Sequence, residues 1–209
     1  MKNNLPALAA AAVAAILSIG PAAAFGDRFA RQDNRDFVAT YAEPTTATPD
    51  DYSLGREYPS TTRTAVADPT GEAPGTITID TENRYLYLSM TGGQAMRYDV
   101  GVGREGFEWS GRATVGRKAE WPAWTPPAAM LKRRPDLPRH MAGGLENPLG
   151  ARAMYLYSGN RDTMFRIHGS NEPWTIGHAV SSGCIRMLNA DVEDLYERVR
   201  VGTKVVVLR

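Results

Sequence analysis

The segment FRIHGSNEPWTIGHAVSSGCIRM, residues 165–187, decides how the rest of the chain is interpreted. It holds Cys184, the single cysteine of the protein, and His168 upstream of it. A thiol attacks a carbonyl group as the thiolate, and its ordinary pKa of about 8.5 leaves only a few per cent ionised at neutral pH. A neighbouring imidazole removes that limit by accepting the proton. A Cys paired in space with a His is therefore the minimal unit for acyl transfer.

The residues around His168 predict a β-strand that ends at the site. Arg166 and His168 alternate with two apolar residues, so on a strand the two polar side chains share one face. Gly169 then ends the strand. Before Cys184, Gly183 permits a tight turn that directs backbone N–H groups into the site.

The pattern HG, followed by SNEPWTIG and then SSGCIRM, resembles the catalytic signature of the L,D-transpeptidase (YkuD) family of peptidoglycan enzymes. The resemblance continues in GVGREGFEWSG, in EWPAWTPPAAM and in GGLENPLGARAMYLY, and it covers residues 74–209. A short Cys/His pattern alone is weak evidence, whereas several blocks in one order form a specific pattern.

The resemblance implies a role for each residue of the segment. Cys184 is expected to be the nucleophile and His168 the base that takes its proton. In the family a backbone carbonyl directly after this His, at Gly169 here, orients the imidazole. The N–H groups around Gly183 and Cys184 are expected to form the oxyanion hole. The permanently charged Arg186 is expected to hold a substrate carboxylate or to order the loop.

One position departs from the commonest family pattern. Ser182 stands where many relatives have a His, so the support of the oxyanion and of the acceptor side is an open question. His178 is a candidate replacement, and the alternative is that it is merely exposed. Ser182 and Arg166 are assigned to substrate binding. A zinc site made of Cys184, His168 and His178 is conceivable, but the spacing matches no usual zinc motif. We expect neither a metal nor an organic cofactor.

Residues 120–150 show little regular pattern and contain much Pro and Gly. A loop of this length in a compact domain is usually functional or disordered. Trp121 and Trp124, separated by a proline and followed by two more, form a stiff apolar segment that could line a substrate cleft. The alternative, equally open, is that both tryptophans hold the loop against the core.

Composition and the N-terminal sequence limit the class of protein and predict its location and domain boundaries. The net charge of +1 does not indicate a nucleic-acid surface, and a single cysteine excludes an intramolecular disulfide. Residues 1–24 have a short basic start, an apolar run and a small-residue ending, which predicts a cleaved signal peptide. The alternative is an uncleaved anchor. Residues 25–73 are rich in Thr, Pro, Ala and Asp and predict a flexible linker. Residues 74–209 are the predicted catalytic domain.

Short alternating segments with Gly and Pro turns predict a mainly β fold, sandwich or barrel-like, with one packed helix near the C-terminus. The expected strands lie at 76–80, 84–88, 95–102, 111–119, 154–157, 163–168 and 204–208. The helix has an apolar stripe at Val192, Leu195, Tyr196 and Val199, and Asn189 is its expected N-cap.

These patterns together predict an exported, cysteine-dependent L,D-transpeptidase of the periplasm or cell wall. By resemblance, Cys184 attacks the third residue of a peptidoglycan tetrapeptide stem, releases D-Ala and passes the acyl group to an amine. That amine belongs to another stem, giving a 3→3 cross-link, or to an outer-membrane or wall-tethered protein. Carbapenems are expected covalent inhibitors. The alternatives are an L,D-carboxypeptidase, an idle peptidoglycan-binding module and a secreted cysteine peptidase.

Overall fold

The computed structural model describes residues 58–126 and 128–209 of the chain. The predicted signal peptide, 1–24, lies outside the described residues, and so does the part of the predicted linker that runs from residue 25 to residue 57. No helix in the two described ranges is long and apolar enough to cross a membrane.

The described residues form eleven β-strands, nine of them in one sheet. In chain order the strands are β1 (Thr64–Ala67), β2 (Ile77–Asp80), β3 (Tyr85–Ser89), β4 (Gln94–Asp99), β5 (Val102–Gly103), β6 (Gly111–Glu120), β7 (Arg152–Ser158), β8 (Arg161–His168), β9 (Ala179–Ser181), β10 (Ile185–Arg186) and β11 (Lys204–Leu208). The large sheet has the order β1-β4-β3-β2-β11-β6-β7-β8-β10, and β5 pairs with β9 in a second sheet. The α-helices of the described ranges are α1 (Ala128–Arg133), which the sequence did not predict, and α2 (Asn189–Arg198), and short 3-10 helices lie at Thr91–Gly93 and Pro173–Thr175. The predicted mainly β fold with one packed helix near the C-terminus is confirmed.

The core lies at the centre of the large sheet, where the C-terminal strand inserts. β11 pairs in parallel with β2 and antiparallel with β6, so the end of the chain joins the two halves of the sheet. Ile77, Ile79, Leu86 and Val205 are completely buried there. Burial of each such aliphatic side chain is worth about 1.5–3 kcal/mol.

Strand β1 lies inside the segment 25–73 for which the sequence predicts a flexible linker. It pairs antiparallel with β4, from Thr64 opposite Arg97 to Ala67 opposite Gln94. For these residues the linker prediction is wrong. Composition misleads here because β1 buries little side-chain surface and is held by backbone hydrogen bonds to an existing sheet edge.

Two β-bulges interrupt the sheet, one on each side of β7. Between β6 and β7 the register shifts at Gly116. Between β7 and β8 it shifts just beyond Tyr155, and Met164 in that part of β8 has a φ of 64°. A bulge bends its strand and redirects side chains. The sheet face around Tyr155 therefore departs from regular alternation.

Helix α2 follows β10 and packs against β7. Its Val192 and Leu195 are buried, as the predicted stripe requires. Asn189 is the first helical residue and not the N-cap, because Leu188 occupies the cap position without a side-chain hydrogen bond. The Oδ1 of Asn189 instead accepts a hydrogen bond from the Ala151 N–H at 2.9 Å. This bond ties the start of the helix to the chain just before β7.

Edge strand β10 has a backbone partner on both sides. It pairs in parallel with β8, and on its outer side Arg186 exchanges two backbone hydrogen bonds with Gly101, at 2.8 and 2.9 Å. A Cβ at Gly101 would lie 2.7 Å from the carbonyl oxygen of Thr175, so only glycine allows this approach. The strand next to the cysteine is thereby fixed from two directions.

Candidate active site

The short parallel ladder between β8 and β10 places His168 and Cys184 on one face of the sheet. Ile185 is registered with Ile167, and Arg186 with His168. Both isoleucines are buried in the core, so His168, one residue along, turns to the opposite face. Cys184 directly precedes Ile185, and the same alternation turns it to the face of His168.

His168 is a buried, neutral imidazole with its orientation fixed. Its Nδ1 lies 2.5 Å from the carbonyl oxygen of Gly169, to which it donates a hydrogen bond. Nε2 then carries the lone pair. Burial, reinforced by the positive charge of Arg186, lowers the pKa of His168 to about 3. The imidazole is therefore neutral throughout the physiological pH range, with the Nε2 lone pair unprotonated.

Close packing holds the Gly169 carbonyl in place. The Gly169 N–H donates to the carbonyl of Arg152 at 3.0 Å. A Cβ at Gly169 would lie 2.2 Å from the Oδ1 of Asn189, and one at Gly150 would lie 2.3 Å from the same atom. Asn189 therefore packs against two backbone segments that have no room for side chains, and one of them orients His168.

Cys184 is partly buried, and its thiol donates to the Met164 carbonyl of β8 over an Sγ–O distance of 4.0 Å. Burial raises the pKa of the Cys184 thiol, and the charges of Arg166 and Arg186 offset only part of that effect. The thiol therefore keeps its proton at neutral pH. A neutral thiol beside a neutral imidazole needs proton transfer during the attack, as general-base catalysis provides.

The turn before Cys184 depends on glycine and on a stacked aromatic pair. Gly183 has a φ of 101°, and a Cβ there would lie 2.4 Å from Cε1 of Phe165. Phe165 stacks on Trp109 with ring centroids 4.5 Å apart, and the Trp109 Nε1 donates to the Gly183 carbonyl at 3.2 Å. The aromatic pair thus supports the underside of the turn.

The expected oxyanion hole needs a correction at Gly183. Its N–H donates to the Oγ of Ser181 at 3.1 Å, so this group is already engaged and does not point at an incoming oxyanion. The Ser181 hydroxyl in turn donates to the Cys184 carbonyl at 2.5 Å. Sequence reasoning missed Ser181, although the Ser-Ser pair before Gly-Cys marked the position. The Cys184 N–H remains the predicted oxyanion donor.

The two predicted substrate arginines are both held in ion pairs. Arg186 contacts Glu172 at 2.6 Å, which supports the loop-ordering alternative for this residue. Arg166 donates to both carboxylate oxygens of Asp162, at 2.7 and 3.0 Å. Neither acidic partner was singled out from the sequence, because each lies on the surface side of the motif and carries no pattern of its own.

The two tryptophans of the long loop are placed through their backbones. The Trp121 N–H donates to the Ala151 carbonyl at 2.7 Å, and the side chain is 40% exposed. Trp124 exchanges backbone hydrogen bonds with Met141, both at 2.8 Å, and is half-buried. A role for either tryptophan in the substrate cleft remains a prediction.

Ser182, at the family's variable position, and its candidate replacement His178 are both less buried than His168. Ser182 is half-buried and His178 is exposed, and the His178 carbonyl accepts the Val102 N–H at 3.0 Å. Whether His178 serves the site in place of the missing His stays open. Within the described ranges, no group of three or more His, Cys, Asp or Glu side chains is arranged to hold a metal ion.

Comparison with known proteins identifies the family of the chain. The family model of the YkuD L,D-transpeptidase catalytic domain matches residues 74–207. The probable L,D-transpeptidase ErfK/SrfK of Escherichia coli K12 is 34% identical over 142 residues, which are 64% of this chain and 44% of that protein. The chain thus spans less than half of the length of the Escherichia coli relatives that it matches.

Two solved structures are also similar. One is a protein described as a probable carnitine operon oxidoreductase from Brucella melitensis, with 48% identity, a TM-score of 0.49, and coverage of 77% of this chain and 100% of that chain. The other is the catalytic domain of the E. faecium L,D-transpeptidase acylated by ertapenem, with 22% identity, a TM-score of 0.48, and coverage of 66% and 100%. The family match includes both Cys184 and His168. This chain belongs to the YkuD family of L,D-transpeptidase catalytic domains.

Proposed function

We propose that this chain is an exported, cysteine-dependent L,D-transpeptidase that acts on peptidoglycan tetrapeptide stems through an acyl-enzyme on Cys184. The observation that carries the proposal is the state of His168. Its Nδ1 donates to the Gly169 carbonyl, which leaves the lone pair on Nε2, and burial keeps the imidazole neutral on the face of Cys184. A purely structural histidine has no need of this arrangement beside a thiol.

In the proposed first half-reaction, the Cys184 sulfur attacks the carbonyl of the third stem residue while His168 takes the thiol proton. The Cys184 N–H supports the developing oxyanion, and one such donor is typically worth about 10²–10³ in rate. The imidazolium then gives its proton to the leaving amine, and D-Ala departs. The thioester on Cys184 is the product of this half.

In the second half, an acceptor amine attacks the thioester and gives a proton to His168. The bond between the acyl carbon and the Cys184 sulfur then breaks, and the imidazolium returns the proton to the departing thiolate. An amine from another stem gives a 3→3 cross-link. An amine from an outer-membrane or wall-tethered protein attaches that protein to peptidoglycan. The predicted signal peptide, 1–24, supports export of the chain, with the reaction in the periplasm or at the cell wall.

Two other functions use the same site. With water as the acceptor, the enzyme is an L,D-carboxypeptidase that trims stems. Without turnover, the domain is a peptidoglycan-binding module, for which the paired thiol and imidazole serve no purpose.

The deciding experiment is mass spectrometry of muropeptides after incubation with the purified protein. A 3→3 dimer that appears together with free D-Ala supports the transpeptidase, and added acceptor protein tests the tethering reaction. Tripeptides without dimers identify the carboxypeptidase. Unchanged muropeptides in the presence of folded protein would contradict the proposal.

A further inference from the structure

On the face that carries Cys184, a row of side chains continues from β8 across β7 to β6. Arg166 is registered with Tyr155, and Tyr155 with Arg117. The Arg117 guanidinium carbon lies 3.4 Å from the centroid of the Tyr155 ring, and that of Arg166 lies 4.4 Å from it. Tyr155 is 8% exposed, so its ring is the buried base of this row.

The β-bulge at Gly116 brings Arg117 to this face. Val115 pairs with a residue of β7 that is also buried in the core. In a regular ladder Gly116 would come next opposite Tyr155, and Arg117 would then turn to the core. The extra residue makes Arg117 the partner of Tyr155 instead. A Cβ at Gly116 would lie 2.2 Å from the ring of the next tyrosine along β7, so the bulge requires glycine.

The two arginines of the row differ in how their charges are balanced. Arg166 is neutralised by the two hydrogen bonds to Asp162. Arg117 is exposed and forms no ion pair with a carboxylate within residues 58–126 and 128–209. The row therefore presents a net positive charge. A guanidinium held flat on an aromatic ring keeps its N–H donors at the edge, where an anion can accept them.

The distance from Cys184 selects which anion can reach this point. Neighbouring strands lie about 4.8 Å apart, and Tyr155 is on the second strand from β10, so Tyr155 is roughly 10 Å from Cys184. An extended peptide advances about 3.3 Å per residue. A carboxylate at Arg117 is therefore two or three residue lengths from the carbonyl at Cys184, and it lies on the N-terminal side, because only the released residue follows the third residue of a tetrapeptide. The carboxylate of the released terminal residue is only one residue away and is too close.

We infer that Arg117, held on Tyr155, binds an internal carboxylate of the donor peptide, on the N-terminal side of the carbonyl that Cys184 attacks. The inference rests on the proposed function, since it takes the donor to be a carboxylate-bearing peptide. It adds a specificity element: stems with a free carboxylate at that point are preferred over stems in which it is a carboxamide.

The test measures binding by the full chain carrying Cys184→Ala, which does not turn over. The ligands are tetrapeptide stems in which one carboxylate at a time is replaced by a carboxamide, and affinity is measured by calorimetry. Loss of one internal carboxylate should weaken binding about ten- to hundred-fold, as for a hydrogen bond between charged groups. Adding Arg117→Gln should abolish the difference in affinity between the stem with that carboxylate and the stem with the carboxamide. Arg117→Lys should retain part of it, because it keeps the charge without the planar fork.

Arg112→Gln is the matched control, since it removes another exposed arginine from β6. It should leave the amidation effect at the value found with Cys184→Ala alone. The inference is overturned if amidation weakens binding equally with and without Arg117, if no internal amidation matters, or if no stem binds. Failure of the proposed function looks different: the wild-type chain would leave the same stems uncleaved while binding still depended on Arg117.

Discussion

Thr62 donates two hydrogen bonds to one carboxylate oxygen of Asp191, from its backbone N–H at 2.9 Å and from its hydroxyl at 2.7 Å. The Thr61 hydroxyl donates to the other oxygen. Asp191 is completely buried in the first turn of α2, the helix that follows the cysteine turn. The residues just before β1 therefore satisfy a buried charge on the opposite end of the chain.

We predict that a chain starting at Ala73 is less stable than a chain starting at Tyr58. The shorter chain lacks β1 and leaves the Asp191 carboxylate without its threonine donors. Each lost hydrogen bond to a charged group costs about 1.5–3 kcal/mol. Thermal melts of the two chains measure the difference. Asp191→Asn should recover part of the loss in the shorter chain only, and equal melting temperatures for the two chains would refute the prediction.

Gly183→Ala is expected to destabilise the protein and to reduce acylation of Cys184. The new Cβ would enter the Phe165 ring, and φ is 101°. The matched control is Gly177→Ala, where φ is 82° but no atom lies within 4 Å of the new Cβ. The free energy of unfolding of that control should fall only by the cost of placing alanine in a left-handed backbone conformation, about 1–2 kcal/mol. Chemical denaturation compares the two, and equal losses would mean that the Phe165 contact is not limiting.

The buried His168 predicts a specific dependence of stability on pH. Its pKa is about 3 in the folded protein and near 6.5 when unfolded. As the pH falls below 6.5, only the unfolded chain takes up this proton, so the free energy of unfolding drops until about pH 3. Between pH 7 and pH 5 the loss is about 2 kcal/mol. Over the same pH interval, the free energy of unfolding of His168→Asn should fall by about 2 kcal/mol less than that of the wild type. Urea titrations at each pH measure this difference.

Other groups titrate in both proteins, so the quantity that decides is the difference between them. Identical pH dependence in wild type and His168→Asn would show that His168 has an ordinary pKa when folded. Acylation of Cys184 should also persist at pH 5, because the base is still neutral there. A rate that falls with a midpoint near pH 6.5 would contradict the same assignment.

A carbapenem is predicted to form one thioester adduct per chain, on Cys184. We expect the strained ring to be opened by the nucleophile, base and oxyanion donor that we propose for the stem carbonyl. Intact-protein mass spectrometry measures the adduct, and peptide mapping should place it on the fragment 181–186. Cys184→Ala should abolish it. His168→Ala should slow it by about 10²–10⁴. A rate unchanged in His168→Ala would indicate an exposed thiol that reacts unaided.

Ser181 is expected to matter more than Ser182, although they are neighbours. The Ser181 hydroxyl joins the Gly183 N–H to the Cys184 carbonyl and so fixes the turn that carries the thiol. Ser181→Ala should slow carbapenem acylation by about tenfold, as expected for one structural hydrogen bond of about 1 kcal/mol or more. Ser182→Ala should cost less. The reverse order would assign the fixing role to Ser182.

Sequence reasoning predicted the strand that ends at His168, the C-terminal helix and the strand 204–208. In each of them apolar residues recur at a regular spacing, and the element has a clear end. These features are local, and a single segment of the chain carries the information for each of them. The carbonyl partner of His168 was implied by the family resemblance, and in the structure His168 Nδ1 lies against the Gly169 carbonyl.

The missed features depend on pairing between distant residues. β1 forms only because the edge of β4 is available, and its own composition indicates a linker. The Ser181 hydrogen bond to Gly183 depends on the shape of a turn that the sequence only marks as flexible. Asn189 has a side chain typical of an N-cap, yet it accepts a hydrogen bond from the Ala151 N–H, which is distant in sequence. No periodic pattern records such contacts.

The pair of hydrogen bonds between Gly101 and Arg186 limits how a peptide can enter the site. An edge strand next to a nucleophile would ordinarily offer its backbone as a template, and an extended peptide could bind by strand addition. Here that template is occupied at Arg186 by Gly101. A peptide at this point must be bound through side chains and turn amides, so its recognition depends on chemical groups such as carboxylates more than on an extended backbone. A binder that mimics a β-strand is accordingly a poor starting point for inhibition at this edge, whereas a compact electrophile with a well-placed anionic group suits it.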